Sequence, residues 1–111
     1  MWLLDANMDV HWAKLLQELG FACDTASNRQ WKTLRNGDLV QAASAAGFDC
    51  LLTRDNLFGE AASLALKSHP RFAVVLVTLK QGPWRHYRER FLAAWNDGPI
   101  QPAVGRLVRW P

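Results

Sequence analysis

Thr53-Arg54-Asp55-Asn56-Leu57 ends an apolar run and leads into Phe58, and its reading decides the fold. A second carboxylate, Asp5, stands directly after another apolar run, Trp2-Leu3-Leu4. If the two runs are neighbouring parallel strands, both acids emerge at one edge of a single sheet. That is the edge at which open α/β sheets bind ligands. A third acid, Asp38, begins a helical pattern just before the Asp55 run. Three carboxylates from distant parts of the chain then converge on one spot, which suits a hard divalent cation.

Outward from these runs the chain alternates strand and helix patterns with short connections, the signature of a parallel sheet covered by helices. Met1 to Leu4 reads as a strand, Asp9 to Leu19 as a helix closed by Gly20, and Phe21 to Thr25 as a second strand. Residues 26–35 are a polar, basic loop. Asn36-Gly37-Asp38 opens a helix that runs to Gly47, and Phe48 to Thr53 is the third strand. A helix from Asn56 to about Ser68 follows, then a Val-rich central strand, Phe72 to Thr78. Pro83 starts a basic helix to about Trp95, and Val104 to Trp110 alternates as an edge strand. The expected fold is a three-layer α/β/α domain over residues 1–111, with a mostly parallel sheet.

Strand order follows from the acids. Bringing Asp5 to Asp55 requires the third strand beside the first and sends the second to the other side, giving 2-1-3-4 with right-handed crossovers and the edge strand added. This order also separates the two cysteines, Cys23 and Cys50, by two strand spacings, about 9.6 Å, beyond the ~7 Å reach of a disulfide. Buried, reduced thiols and a cytoplasmic location are therefore expected.

Composition is that of a soluble globular chain, with 50% apolar and 21% charged residues. No run reaches the ~18 apolar residues of a membrane span, and Asp5 and Asn7 interrupt any signal-like start. Charge is uneven: residues 1–70 carry six Lys/Arg and eight Asp/Glu, residues 71–111 seven and two. An acidic site facing a basic tail could hold a polyanion, or the tail is a solvated basic helix.

Each acid also has a plainer reading. Asp38 at a helix start would interact with free amides and the dipole, and Asp55 would cap the helix after it. Asp5, ending a buried strand, has no such role. Asn7 would add an oxygen or orient water, Thr53 would bond Asp5 or the loop, and Arg54 would meet a phosphate or a carboxylate. His11, His69 and His86 have no ligand spacing.

At these residues the chain resembles the PIN-like ribonuclease superfamily, the fold of VapC-type toxins. Leu3-Leu4-Asp5 is similar to its opening strand and first acid, and Asp38-Leu39-Val40-Gln41-Ala42-Ala43 to its helix-starting acid. Leu51-Leu52-Thr53-Arg54-Asp55 with Phe58 is similar to its strand-Thr-x-Asp-x-x-Phe signature. Leu4-Asp5-Ala6-Asn7 looks like the compact branch often encoded beside small antitoxins. The likeness spans roughly residues 1–80. It implies an Mg2+- or Mn2+-dependent endoribonuclease with Asp5, Asp38 and Asp55 as catalytic and metal-holding acids, RNA as substrate and a small antitoxin as partner. The chain departs from the pattern in its shortened region after the first acid, where Glu18 or Asp24 would substitute for a further acid, and at Leu57, where an acid is common.

Arg29, Lys32 and Arg35 around Trp31, and Arg85, Arg88 and Arg90 in the basic helix, are placed to flank RNA, with Trp31 and Trp84 as stacking surfaces. Six tryptophans in 111 residues also suit a protein interface, in a homodimer or an antitoxin complex; Trp2, Trp12 and Trp95 are expected in the core. Two other readings stay open. One is a catalytically silent PIN-like interaction module. The other is a phosphoacceptor receiver, with Asp55 as acceptor and Thr78 and Lys80 after the fourth strand. Against the receiver, Asp5 is followed by Ala6 rather than a second acid. A fifth parallel strand with its own lysine and a further helix also exceed this length.

Overall fold

The structure, a computed structural model, describes residues 1–35, 37–80 and 82–111, without the side chains of residues 58–60. Asn36, expected at a helix start, and the side chains of Phe58 and Glu60 lie outside the described residues. The elements are β1 (Trp2–Leu4), α1 (His11–Glu18), β2 (Cys23–Thr25), α2 (Gly37–Ala45), β3 (Cys50–Thr53), α3 (Asn56–Ala65), β4 (Ala73–Val77), α4 (Trp84–Asp97) and β5 (Leu107–Trp110). Every sequence-derived element is present, with ends shifted by local chemistry. α1 starts at His11 rather than Asp9 because the Asp9 carboxylate accepts the His11 amide at 2.9 Å, as a residue before a helix does. Gly20 and Gly47 take left-handed φ values of 94° and 92° just after α1 and α2, so the chain turns there.

All pairings are parallel and the sheet order is β2-β1-β3-β4-β5. The expected 2-1-3-4 order holds, and the edge strand joins it as a fifth parallel strand. Cys23 and Cys50 both pair with Trp2, on opposite sides of β1, and remain free and buried. Burial pushes the thiol of each upward.

Strand alternation sends side chains to two cores. Leu4, Leu52, Val75 and Val77 pack with Trp12, Leu15 and Leu16 of α1 and Tyr87, Phe91 and Trp95 of α4. Leu3, Leu51 and Val74 pack with Leu39, Val40 and Ala43 of α2 and Ala62 of α3. The layers are therefore α1 with α4, the sheet, then α2 with α3. Trp12 anchors the first, its centroid 4.6 Å from Phe91 in an edge-on arrangement, and aromatic pairs of this kind add about 0.5–1.5 kcal/mol beyond their buried area. Trp12 and Trp95 are in the core as expected. Trp2 is half-buried, stacked on Phe21. Trp110 is buried as well and donates from Nε1 to the Gly98 carbonyl at 2.8 Å.

One crossover breaks the usual hand. The β1–α1–β2 and β4–α4–β5 connections run in opposite directions across the sheet, yet α1 and α4 lie on the same face. The last crossover is therefore of the opposite hand to the first three, whereas about 98% of such units share one hand. The return from α4 to β5 is long, residues 98–106, and is fastened where Gly105 donates to the Phe72 carbonyl at 2.8 Å. The aromatic cluster holds α4 to α1.

Candidate functional site

Parallel register sets the site. Leu4 pairs with Leu52, and the Asp5 amide continues the ladder by donating to the Leu52 carbonyl at 2.9 Å. Asp5 therefore stands beside Thr53, with Asp55 two residues beyond. The connection after β1 leads one way and the connection from β2 returns the other way, so the gap between β1 and β3 is the switch point where such sheets take ligands.

Thr53 organises this edge. It is the one fully buried polar side chain among the described residues, at 0% exposure. Its hydroxyl donates to Asp5 Oδ2 at 2.8 Å and accepts the Asp55 amide at 3.2 Å. Asp5 Oδ1 also accepts the Ala6 amide at 2.7 Å. Burial raises the proton affinity of Asp5 above the ordinary aspartate range; the Thr53 and Ala6 bonds oppose this, and the nearby Asp55 charge adds to it. Asp55 accepts the Leu57 amide at 3.0 Å and caps α3, so its capping role is realised at the same edge as Asp5. Asn7 reaches across from β1, its Oδ1 accepting the Arg54 amide at 3.4 Å and its Nδ2 3.5 Å from the Thr53 hydroxyl.

Asp5, Asn7 and Asp55 line one cavity of about 350 Å³, together with Arg35 and the apolar Leu34 and Leu57. Asp38 is exposed in the first turn of α2 and is not among the lining residues. Its amide bonds the carbonyl of Arg35, which is. Among the described residues no three His, Cys, Asp or Glu side chains form a metal-holding group. The edge thus assembles Asp5, Asn7, Thr53 and Asp55 tightly, brings Arg35 to the cavity, and leaves Asp38 one turn away.

The other basic residues are dispersed. Arg29 is engaged: its Nε donates to Asp24 Oδ2 at 2.8 Å and its guanidinium lies over the Trp31 and Phe48 rings. Lys32 is exposed in the loop. Arg85 and Arg88 are exposed on α4, and Arg88 lines a groove between α1 and α4 with His11, Lys14 and Trp84. Trp84 is partly covered because His11 stacks on it at 4.5 Å. Trp31 is half-buried against Phe48.

Sequence reading did not mark the pair Asp9–His11. Asp9 Oδ1 accepts both the His11 amide and its ring Nδ1, the latter at 2.6 Å. Burial opposes ionisation of Asp9, but the His11 bonds and the charges of His11 and Arg54 together hold its carboxyl below the usual range. The available signal was an acid two residues before a histidine at a helix start. The expected edge strand is β5, which joins the sheet in parallel and ends on Arg109 and Trp110 with no helix after it, so the receiver's lysine and final helix have no counterpart among the described residues.

No protein-family model matches the chain, and no curated protein or solved structure matches it either.

Proposed function

We propose that this protein is a metal-dependent endoribonuclease acting at the Asp5–Asp55 edge, and that it serves in the cytoplasm as the toxin of a toxin–antitoxin pair. The observation that carries this reading is Asp5 itself. A half-buried carboxylate with raised proton affinity, held by a buried threonine beside a second carboxylate, is costly to keep at a strand end. A hard cation relieves both the burial penalty and the repulsion, which gives the arrangement a purpose.

The donor set fits such an ion. Mg2+ and Mn2+ take oxygen ligands and are often held by one or two carboxylates, with waters and substrate phosphates completing the shell. Asp5 and Asp55 would hold the ion, Asn7 would add a carbonyl oxygen, and Asp38 would act from beside Arg35. Bound there, the metal supplies an activated water and charge stabilisation at a phosphate. The chain's own groups do the rest. Thr53 fixes Asp5, Arg35 meets a phosphate at the cavity, and Arg85 and Arg88 draw the polyanion to α4. Leu57 and Leu64, seven residues apart on one side of α3 and 78% and 66% exposed, offer an apolar stripe for a small antitoxin or a second copy.

The test is RNA cleavage by wild type, Asp5→Asn and Asp55→Asn with Mg2+, Mn2+ or EDTA, the fold of each variant being checked by circular dichroism. Cutting should require metal and fall at least a hundredfold in Asp5→Asn. Equal degradation by wild type and that variant would sink the assignment. A second reading, a silent module of the same fold, draws on the absence of Asp38 from the lining of the acid cavity. It expects no cutting with either metal but stable co-purification with a neighbour-encoded protein.

A further inference from the structure

Asp5 lines a second cavity, on the β2 side of β1, of about 280 Å³. Its chemistry differs from that of the acid cavity. Met8 and Val10 give it apolar walls, while Asp9, Ser27 and Asn28 bring polar groups to its rim. A small concave site with apolar walls and a few converging polar atoms is the usual form of a small-ligand pocket, and this volume lies just under the ~300 Å³ where such sites begin. It suits a planar group the size of one nucleobase.

Two of the polar side chains present acceptors, and the hydroxyls of Thr25 and Ser27 also line the cavity. The Asp9 carboxylate is fixed through Oδ1 by His11, and His11 is in turn held by its stack on Trp84. Among the described residues Asp9 Oδ2 takes no hydrogen bond. Asn28 donates from Nδ2 to Asp24 Oδ1 at 3.1 Å, which leaves its Oδ1 as an acceptor. Of the four bases, guanine alone presents two adjacent donors, N1–H and the 2-amino group, on its Watson–Crick edge. Uracil places carbonyl oxygens on both sides of its single N–H, and adenine and cytosine place a ring acceptor beside their amino group, so each would set an acceptor against Asp9 Oδ2 or Asn28 Oδ1.

We infer that this pocket receives a guanine base of the RNA strand that lies along the Asp5 edge. The inference rests on the ribonuclease reading and adds to it a base preference at the nucleotide next to the acid cavity. Single-stranded RNA is commonly read in this way, by splayed bases bonded along their edges. The nearby Asp9 serves as reader and Asp5 as the shared wall between base and phosphate.

Binding without cleavage tests it. Amide spectra of the 15N-labelled protein in EDTA are followed during titration with guanosine, adenosine, cytidine and uridine 5′-monophosphates. A parallel titration uses a uridine hexanucleotide carrying one guanosine, or one inosine in its place. Guanosine monophosphate should shift the amides of Asp9, Val10 and Asn28 and bind about tenfold tighter than the other three, the range of a well-placed pair of hydrogen bonds. Asp9→Asn should erase the preference, and Val10→Trp, at a position 82% exposed and so tolerant of size, should block binding. The guanosine hexamer should bind tighter than the mononucleotide, and inosine should lose most of the preference. Equal binding of all four bases, indifference to Val10→Trp, or binding of the mononucleotide but not of the guanosine hexamer each overturns the proposal. If guanosine RNA binds as described but is never cut with metal, the pocket stands and the nuclease reading falls; cutting without base preference has the reverse meaning.

Discussion

Replacing Asp5 by Asn should make the protein more stable without metal and less responsive to metal. In the folded state Asp5 is desolvated and faces Asp55, and these penalties outweigh its bonds from Thr53 and Ala6. Asn removes the charge while keeping the shape. It turns one charge-assisted bond from Thr53 into a neutral contact, a loss of order 1 kcal/mol that offsets part of the relief. Tm in EDTA therefore rises, by roughly 4 °C for each kcal/mol of net gain in a domain near this size. The sign with pH follows from a folded pKa above the unfolded one. Stability at this group is full below the unfolded value, near 3.9, and is lost as pH rises through the folded value. The advantage of the variant therefore appears near neutrality and vanishes at about pH 3. Mn2+ at ten times its Kd should stabilise wild type by about 1.4 kcal/mol and the variant by a small fraction of that. Thermal unfolding followed by circular dichroism reads all four conditions. A variant less stable than wild type in EDTA at pH 7, or one that gains equally from Mn2+, refutes the reasoning.

Three further outcomes are expected. Asp55→Ala removes the cap on the Leu57 amide and should lower stability by about 0.5–1 kcal/mol, opposite in sign to Asp5→Asn, as urea unfolding will show. Thr53→Val keeps the volume but leaves Asp5 Oδ2 and the Asp55 amide without their shared partner, and should cost about 1–3 kcal/mol by the same method. Gly105→Ala meets both a φ of 74° and the Pro70 carbonyl oxygen 2.9 Å from the added Cβ. A loss above about 1 kcal/mol is expected, with hydrogen exchange fastest at Val74, whose amide bonds Arg106.

Strand order was legible because a single requirement, Asp5 beside Asp55, leaves few topologies. The parallel register then delivered Thr53 between them. Helix ends were less legible, since Asp9 reads as the first residue of a helical pattern although its carboxylate serves the turn before α1. The face chosen by α4 could not be read, because the aromatic cluster of Trp12, Phe91 and Trp110 that draws it there is scattered in sequence. The same limit applies to Asp38. Its place at a helix start was visible, but not the direction α2 takes from the sheet edge.

The reversed last crossover separates what sets the acids from what completes the sheet. Strands β1 to β4, and with them both carboxylates, are joined by three crossovers of one hand, whereas β5 is reached by the crossover of the opposite hand, through α4 on the α1 side. Trp12 is where the two assemblies depend on each other. The acids are thus set by the first four strands, and α4 and β5 complete the sheet without supplying a residue to the acid cavity.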